Sequence, residues 1–281
     1  MIHLGMHTDN WRHLDKDFEF AARRIASLGL KYIEFAVIDG QDFIEGLGFS
    51  PAIPATVNEV RLRRFIDSLG LTVSQIDGAY PLNGPLGAAY GIQYVQKAIK
   101  VARAIGCPYV DTTDGARRIP GWSDEEVIRM WKQNIRICLE MAEDYGVGIN
   151  IEPHGPYTND PEVLLDVLRT FESEYLRVNF DTGNTYIAGH DPLEFLKMVR
   201  KYLVHLHCKD VPQALAEAER GESTGISSSV AAIGSGANAE NIRRCIRYLK
   251  ETGWEGVFSI ELMAVEGPLE RSVEWLRREI A

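Results

Sequence analysis

The sequence is poor in cysteine and has no C-x-x-C pair; its four thiols are Cys107, Cys138, Cys208 and Cys245. That excludes a zinc site built on paired thiolates and a redox dithiol. Four scattered cysteines in 281 residues read as reduced, mostly buried thiols of a cytoplasmic protein. Long hydrophobic runs are missing too, since nothing approaches the roughly 18 uninterrupted apolar residues of a membrane span. The opening residues Met1-Ile2-His3-Leu4-Gly5 lack a basic stretch followed by an apolar one, so no signal peptide is expected. Positive charge is in deficit: 30 Lys and Arg stand against 40 Asp and Glu, a formal net charge of −10. Nucleic-acid and anionic membrane surfaces select basic partners, so neither is an expected partner. A glycine-rich phosphate loop is also absent: the first strand ends Met6-His7-Thr8-Asp9. This removes the dinucleotide fingerprint of nicotinamide and flavin enzymes and leaves no strong phosphate-binding loop in view.

What is present is a repeat. An amphipathic run ends in glycine and a short apolar run follows at once, at Leu28-Gly29-Leu30, Leu69-Gly70-Leu71, Ile105-Gly106-Cys107, Tyr145-Gly146-Val147 and Thr252-Gly253-Trp254. Glycine just past a helix takes the left-handed cap conformation, and the apolar residues after it suit a buried strand. Helix faces are visible in Phe18, Ala21, Ala22, Ile25 and Leu28, and in Val127, Met130, Trp131, Ile135 and Cys138. Ser123 with Glu126 forms a capping box, and Asp160-Pro161 and Asp191-Pro192 are helix starts. Eight strands are expected near residues 2–7, 31–36, 72–77, 108–112, 148–152, 176–181, 203–208 and 257–262, each followed by a helix. Eight such units without a composition break predict an α/β fold, one (β/α)8 barrel spanning residues 1–281. An open doubly wound sheet is the alternative. Two long segments interrupt the repeat on the face where barrels do chemistry, at about 37–56 and 211–237, and segments of this length are often lids.

The informative polar residues stand at the carboxyl ends of the last four strands. These ends read Ile151-Glu152-Pro153-His154, Phe180-Asp181-Thr182-Gly183-Asn184, His205-Leu206-His207-Cys208-Lys209-Asp210 and Ser259-Ile260-Glu261. Singly, a carboxylate at a strand end usually caps a helix, and His205, inside an apolar strand, reads as a satisfied core residue. Together, consecutive strand ends in a barrel would aim Glu152, Asp181, His207 and Glu261 at one centre. Such a set requires a counter-ion. Three carboxylates and one imidazole suit one divalent metal ion, Mn²⁺ or Mg²⁺, with Co²⁺ or Zn²⁺ also tolerated.

These motifs resemble the xylose-isomerase-like barrel superfamily, which includes ketose 3-epimerases, hydroxypyruvate isomerases, inosose dehydratases and an apurinic endonuclease branch. The resemblance covers nearly the whole chain. It implies a metal-dependent sugar isomerase or epimerase in which Glu152, Asp181, His207 and Glu261 bind the metal. Glu152 and Glu261 would exchange acid and base roles on either side of a metal-stabilised enediolate. Two departures favour a lyase or dehydratase acting on a keto-sugar, keto-inositol or 3-keto glycoside as the alternative. Asn184 stands where epimerases resemble a histidine, and Lys209-Asp210 stands where they tend to carry arginine. The endonuclease branch fits poorly with only seven histidines and the acidic charge. His154 and Lys209 are expected as further catalytic groups, and His7, Asp77, Asn184 and Trp122 as contacts to a small-molecule carbohydrate. Glu34 either lines the site or caps, while Trp254 and Trp275 read as packing residues. Relatives of this kind are often dimers or tetramers, so a homo-oligomer is expected.

Overall fold

Strand and helix alternate because apolar residues recur with period two in the short runs and with period 3.6 in the longer ones. The protein is described by a computed structural model that covers residues 1–12, 14, 16–38, 51–78, 81–115, 117–221, 229–263 and 267–281. Its barrel strands are β1 (Ile2–His7), β2 (Tyr32–Ile38), β3 (Thr72–Asp77), β4 (Tyr109–Thr112), β5 (Gly148–Ile151), β6 (Leu176–Asp181), β7 (Leu203–Cys208) and β8 (Gly256–Ile260). Each pairs in parallel with the next, and β1 pairs with both β2 and β8, which closes the sheet. The expected (β/α)8 barrel is the fold. The open-sheet alternative falls, because it would leave β1 with an unpaired edge.

Strand boundaries differ from expectation by one or two residues, at β2, β4, β5 and β8, and two of these bear on the site. β5 and β8 stop at Ile151 and Ile260, one residue short of Glu152 and Glu261. The ladder still reaches both glutamates through their amides, Glu152 N donating to Thr112 O at 2.9 Å and Glu261 N to Cys208 O at 3.2 Å. A two-residue strand, Ile53–Pro54, also pairs beside the end of β2, which the sequence did not suggest.

Helix starts and stops follow their local chemistry. Ser123 and Glu126 form the expected capping box, and Asp160 and Asp191 each accept two backbone N–H groups in front of a proline. Gly146 ends the helix Asp124–Tyr145 at φ 64°. The helix Phe18–Ser27 buries Phe18, Ala21, Ala22 and Ile25. Trp254 is a packing residue whose indole N–H donates to Leu203 O at 3.1 Å, and Trp275 packs partly buried against the same core. No helix among the described residues is long and apolar enough to cross a membrane.

The strands divide their side chains between two environments. Ile149, Ile151, Val178, Phe180, Leu206, Phe258 and Ile260 are all fully buried; these alternate positions pack the sheet against the helices. The positions between them face the barrel axis. Hydrogen bonds that skip intervening strands prove this: Asn150 on β5 donates to Gln75 on β3, and His205 on β7 meets Ser74 on β3 at 3.2 Å.

Candidate metal centre

Glu152, Asp181, His207 and Glu261 come together at the carboxyl end of the barrel. One donor atom from each lies within 4.8 Å of the others. His207 is central: its Nδ1 is 2.9 Å from Glu152 Oε1 and 3.1 Å from Glu261 Oε2. Asp181 also caps the short helix Thr182–Ile187, where its Oδ1 accepts from Gly183 N at 2.7 Å and Asn184 N at 2.8 Å. That fixes its second oxygen toward the centre. Neither Asp181 Oδ2 nor Glu261 Oε2 has an aligned hydrogen-bond donor, although both are buried. The two oxygens share the one ammonium of Lys209, and buried anionic oxygens that outnumber their cations are costly. A divalent cation would satisfy them, and three carboxylates with one imidazole form a suitable, mainly oxygen donor set.

The crowding of charge shows in the titration of the groups. Burial pushes the Asp181 carboxyl up to about 7; Lys209 opposes the rise, and Glu261 and Glu152 add to it. For His207 burial works against protonation, yet Glu34, Glu261 and Glu152 outweigh it and hold the ring well above the ordinary histidine value. Burial likewise opposes ionisation of Glu261, but Lys209 and His207 keep it well below the usual carboxylate range.

Lys209 enters this centre as well. Its ammonium lies 3.2 Å from Asp181 Oδ2 and 3.1 Å from Glu261 Oε2, and the side chain is buried. Its path is permitted by Gly183, where a Cβ would fall 2.8 Å from both Cβ and Cγ of the lysine. Asn184 joins the same network, donating to Glu152 Oε1 and facing Lys209 Nζ, both at 3.4 Å.

Beneath the four residues lies a second polar layer, of which sequence reasoning singled out only Glu34 and His205. It contains Glu34, Gln75, Asp111, Asn150, Asn179, His205 and Ser259, all buried. His205 is the satisfied core residue expected, with Nδ1 at 2.9 Å from Asn179 Oδ1 and Nε2 at 3.2 Å from Ser74 Oγ. Burial, reinforced by His207 and His7 against the pull of Glu34, brings its pKa down to about 4, so this ring is neutral near pH 7. Two register shifts help to build the layer: β2 pairs Ile33 with Val73 and then Glu34 with Gln75, and β6 pairs Val178 with Leu203 and then Asn179 with His205. The first leaves Ser74 unpaired, so Ser74 and Gln75 both reach inward.

The remaining candidates sit at the rim. His7 packs edge-on against His207 with ring centroids 5.7 Å apart, and its Nε2 is 3.9 Å from Asp77 Oδ2. His154 Nδ1 is buried without a hydrogen-bond partner; burial, then Lys209, lowers its pKa. Trp122 is exposed, and no contact among the described residues joins it to the four. Of the two long segments, residues 39–50, with Gly40, Gly46 and Gly48, and residues 222–228, with Gly225, Ser227 and Ser228, lie outside the described residues. The first segment is tied to the mouth where Thr8 Oγ1 donates to Pro51 O at 3.0 Å. The second is anchored by Asp210, whose carboxylate accepts from the amides of Val211 (2.8 Å), Gly234 (2.9 Å), Gly236 (2.8 Å) and Asn238 (3.0 Å).

Known proteins share this fold. The family described as xylose isomerase-like TIM barrel matches residues 22–279. An uncharacterised protein, MJ1311, of Methanocaldococcus jannaschii is 31% identical over 130 residues, 44% of this chain and 39% of the relative. Across the curated relatives the match spans between 39% and 50% of their length. A D-tagatose 3-epimerase-like protein has a similar fold, with TM-score 0.75 at 20% identity, covering 99% of this chain and 97% of the other. So does the IOLI protein, solved with a zinc atom, with TM-score 0.77 at 17% identity, covering 99% and 98%.

Proposed function

Because the chain belongs to the xylose isomerase-like TIM barrel family, we propose that it is a divalent-metal-dependent isomerase or epimerase of a small carbohydrate, acting by proton transfer at a carbon beside a carbonyl. The observation that carries this reading is the placement of Glu152 and Glu261. They follow strands three apart around the barrel, yet both meet His207 Nδ1, at 2.9 and 3.1 Å. Glu152, Asp181, His207 and Glu261 would hold the cation, Mn²⁺ first. When bound, it supplies Lewis acidity toward a carbonyl oxygen, which makes the adjacent carbon acid accessible to a carboxylate.

The chain's own residues do the rest. One of Glu152 and Glu261 removes the proton and the other delivers one to the opposite face. Lys209, 3.1 Å from Glu261, donates a hydrogen bond to a substrate oxygen. His154, held toward its neutral form by burial, exchanges a proton with a hydroxyl at the mouth. Asn184, His7 and Asp77 orient hydroxyl groups. One observation favours a lyase as the second reading: the buried ammonium of Lys209 beside Glu261 suits protonation of a departing oxygen after the carboxylate has taken the carbon-bound proton.

The test incubates Mn²⁺-loaded protein in D₂O with free ketoses, keto-inositols and 3-keto glycosides. The metal is then removed and proton NMR recorded. Deuterium beside the carbonyl together with an isomer is the expected result. Deuterium together with loss of water or an aglycone selects the lyase. No exchange with any member of the panel contradicts the carbon-acid chemistry.

A further inference from the structure

Glu34 carries a fully buried carboxylate deep in the barrel. Its Oε1 meets His207 Nε2 at 2.8 Å and accepts from Gln75 Nε2 at 2.6 Å. Gln75 in turn accepts from Asn150. The chain Asn150–Gln75–Glu34–His207 therefore runs across strands β5, β3, β2 and β7, and all four of its side chains are buried. A buried carboxylate is expensive, and a neutral glutamine would also accept a hydrogen bond, so the charge at this place calls for a reason.

Histidine chemistry supplies it. An ionised carboxylate can only accept, so His207 Nε2 must carry a hydrogen toward Glu34. Asn179 Nδ2 also lies 3.2 Å from Nε2, but an amide nitrogen is itself a donor and is directed to Asp111 Oδ2 at 3.3 Å. It cannot take that hydrogen. A neutral imidazole has one N–H. With that hydrogen on Nε2, the lone pair is on Nδ1, the nitrogen that faces Glu152 and Glu261. A carboxylate behind the ring also strengthens the opposite nitrogen as a donor.

We propose that Glu34 is a positioning residue that fixes the tautomer and orientation of His207, making Nδ1 the metal-donating atom, with Gln75 and Asn150 holding Glu34 in turn. This rests on the reading that Glu152, Asp181, His207 and Glu261 hold a cation, and the experiment separates the two. Apo wild-type protein and Glu34→Gln are titrated with Zn²⁺ in competition with a chromophoric chelator. Zn²⁺-loaded wild type labelled with ¹⁵N-histidine is examined by NMR. The expected result is about 10–100-fold weaker Zn²⁺ binding in the variant, with Nδ1 of His207 metallated and Nε2 protonated in the wild type. Failure of the wild type to bind Zn²⁺ overturns the metal reading itself. A wild type that binds, with a variant within twofold of it, overturns the role of Glu34 alone. Metallation at Nε2 does the same, and that spectrum needs no variant, so it decides even if Glu34→Gln does not fold.

Discussion

Around His207 four carboxylates, from Glu34, Glu152, Asp181 and Glu261, compete for very few cations. His207 Nδ1 touches two of them, Lys209 touches Asp181 and Glu261, and Glu34 holds the far side of the ring. The two glutamates proposed to move protons need an ionisable oxygen and not merely a hydrogen-bonding shape. Glu152→Gln and Glu261→Gln are therefore each expected to lower kcat by about 10²–10⁴, measured by steady-state kinetics with the metal saturating. Full turnover in either variant would remove the two-base scheme. The four proposed ligands were legible because each stands where an apolar strand turns polar. The layer beneath was legible only by counting two residues back. Asn150, Asn179, His205 and Ser259 precede Glu152, Asp181, His207 and Glu261 by one strand period. Glu34 was legible as a residue lining the site or capping, and only its contact with His207 across the barrel decides between the two.

Single elements carry the site because of how their ends are tied. Asp210 gathers four amides from the segment after β7, and Gly236 must lack a side chain because a Cβ would overlap Val211 O. The sequence showed the length and glycine content of that segment but not its anchor, since an aspartate after a strand reads equally as a cap. Asp210→Ala would leave those amides without their acceptor. We expect a stability loss of about 2–4 kcal/mol, read from urea unfolding, and faster hydrogen exchange at Gly234, Gly236 and Asn238. Exchange rates unchanged from wild type would show that the segment holds itself. The unpaired residue Ser74 was illegible for another reason: a shift of register between parallel strands depends on the partner strand, and nothing in Thr72–Asp77 marks it.

The whole barrel depends on closing β1 against β8, and one side chain clasps that seam. Asn10 is fully buried; its amide donates to His7 O at 2.6 Å and Ile260 O at 2.7 Å, and its carbonyl accepts from Leu262 N at 2.5 Å. Asn10→Ala is expected to cost about 2–4 kcal/mol by leaving these backbone groups unsatisfied, seen as a lower urea midpoint; an unchanged midpoint would mean the strand ladder alone closes the barrel. Eight strands could be read because the helix–glycine–strand repeat is local. The Ile53–Pro54 pairing could not, being set by contact with Val37 and Ile38. All of these features converge on one claim, that four strand ends hold a divalent cation. Its most direct test is the metal content of wild type and His207→Ala after dialysis against Mn²⁺ and removal of the free ion, measured by elemental analysis. The account predicts about one equivalent in the wild type and near-complete loss in the variant, because the imidazole is one of the four donors. A wild type without metal, or a variant that keeps a full equivalent, would contradict it.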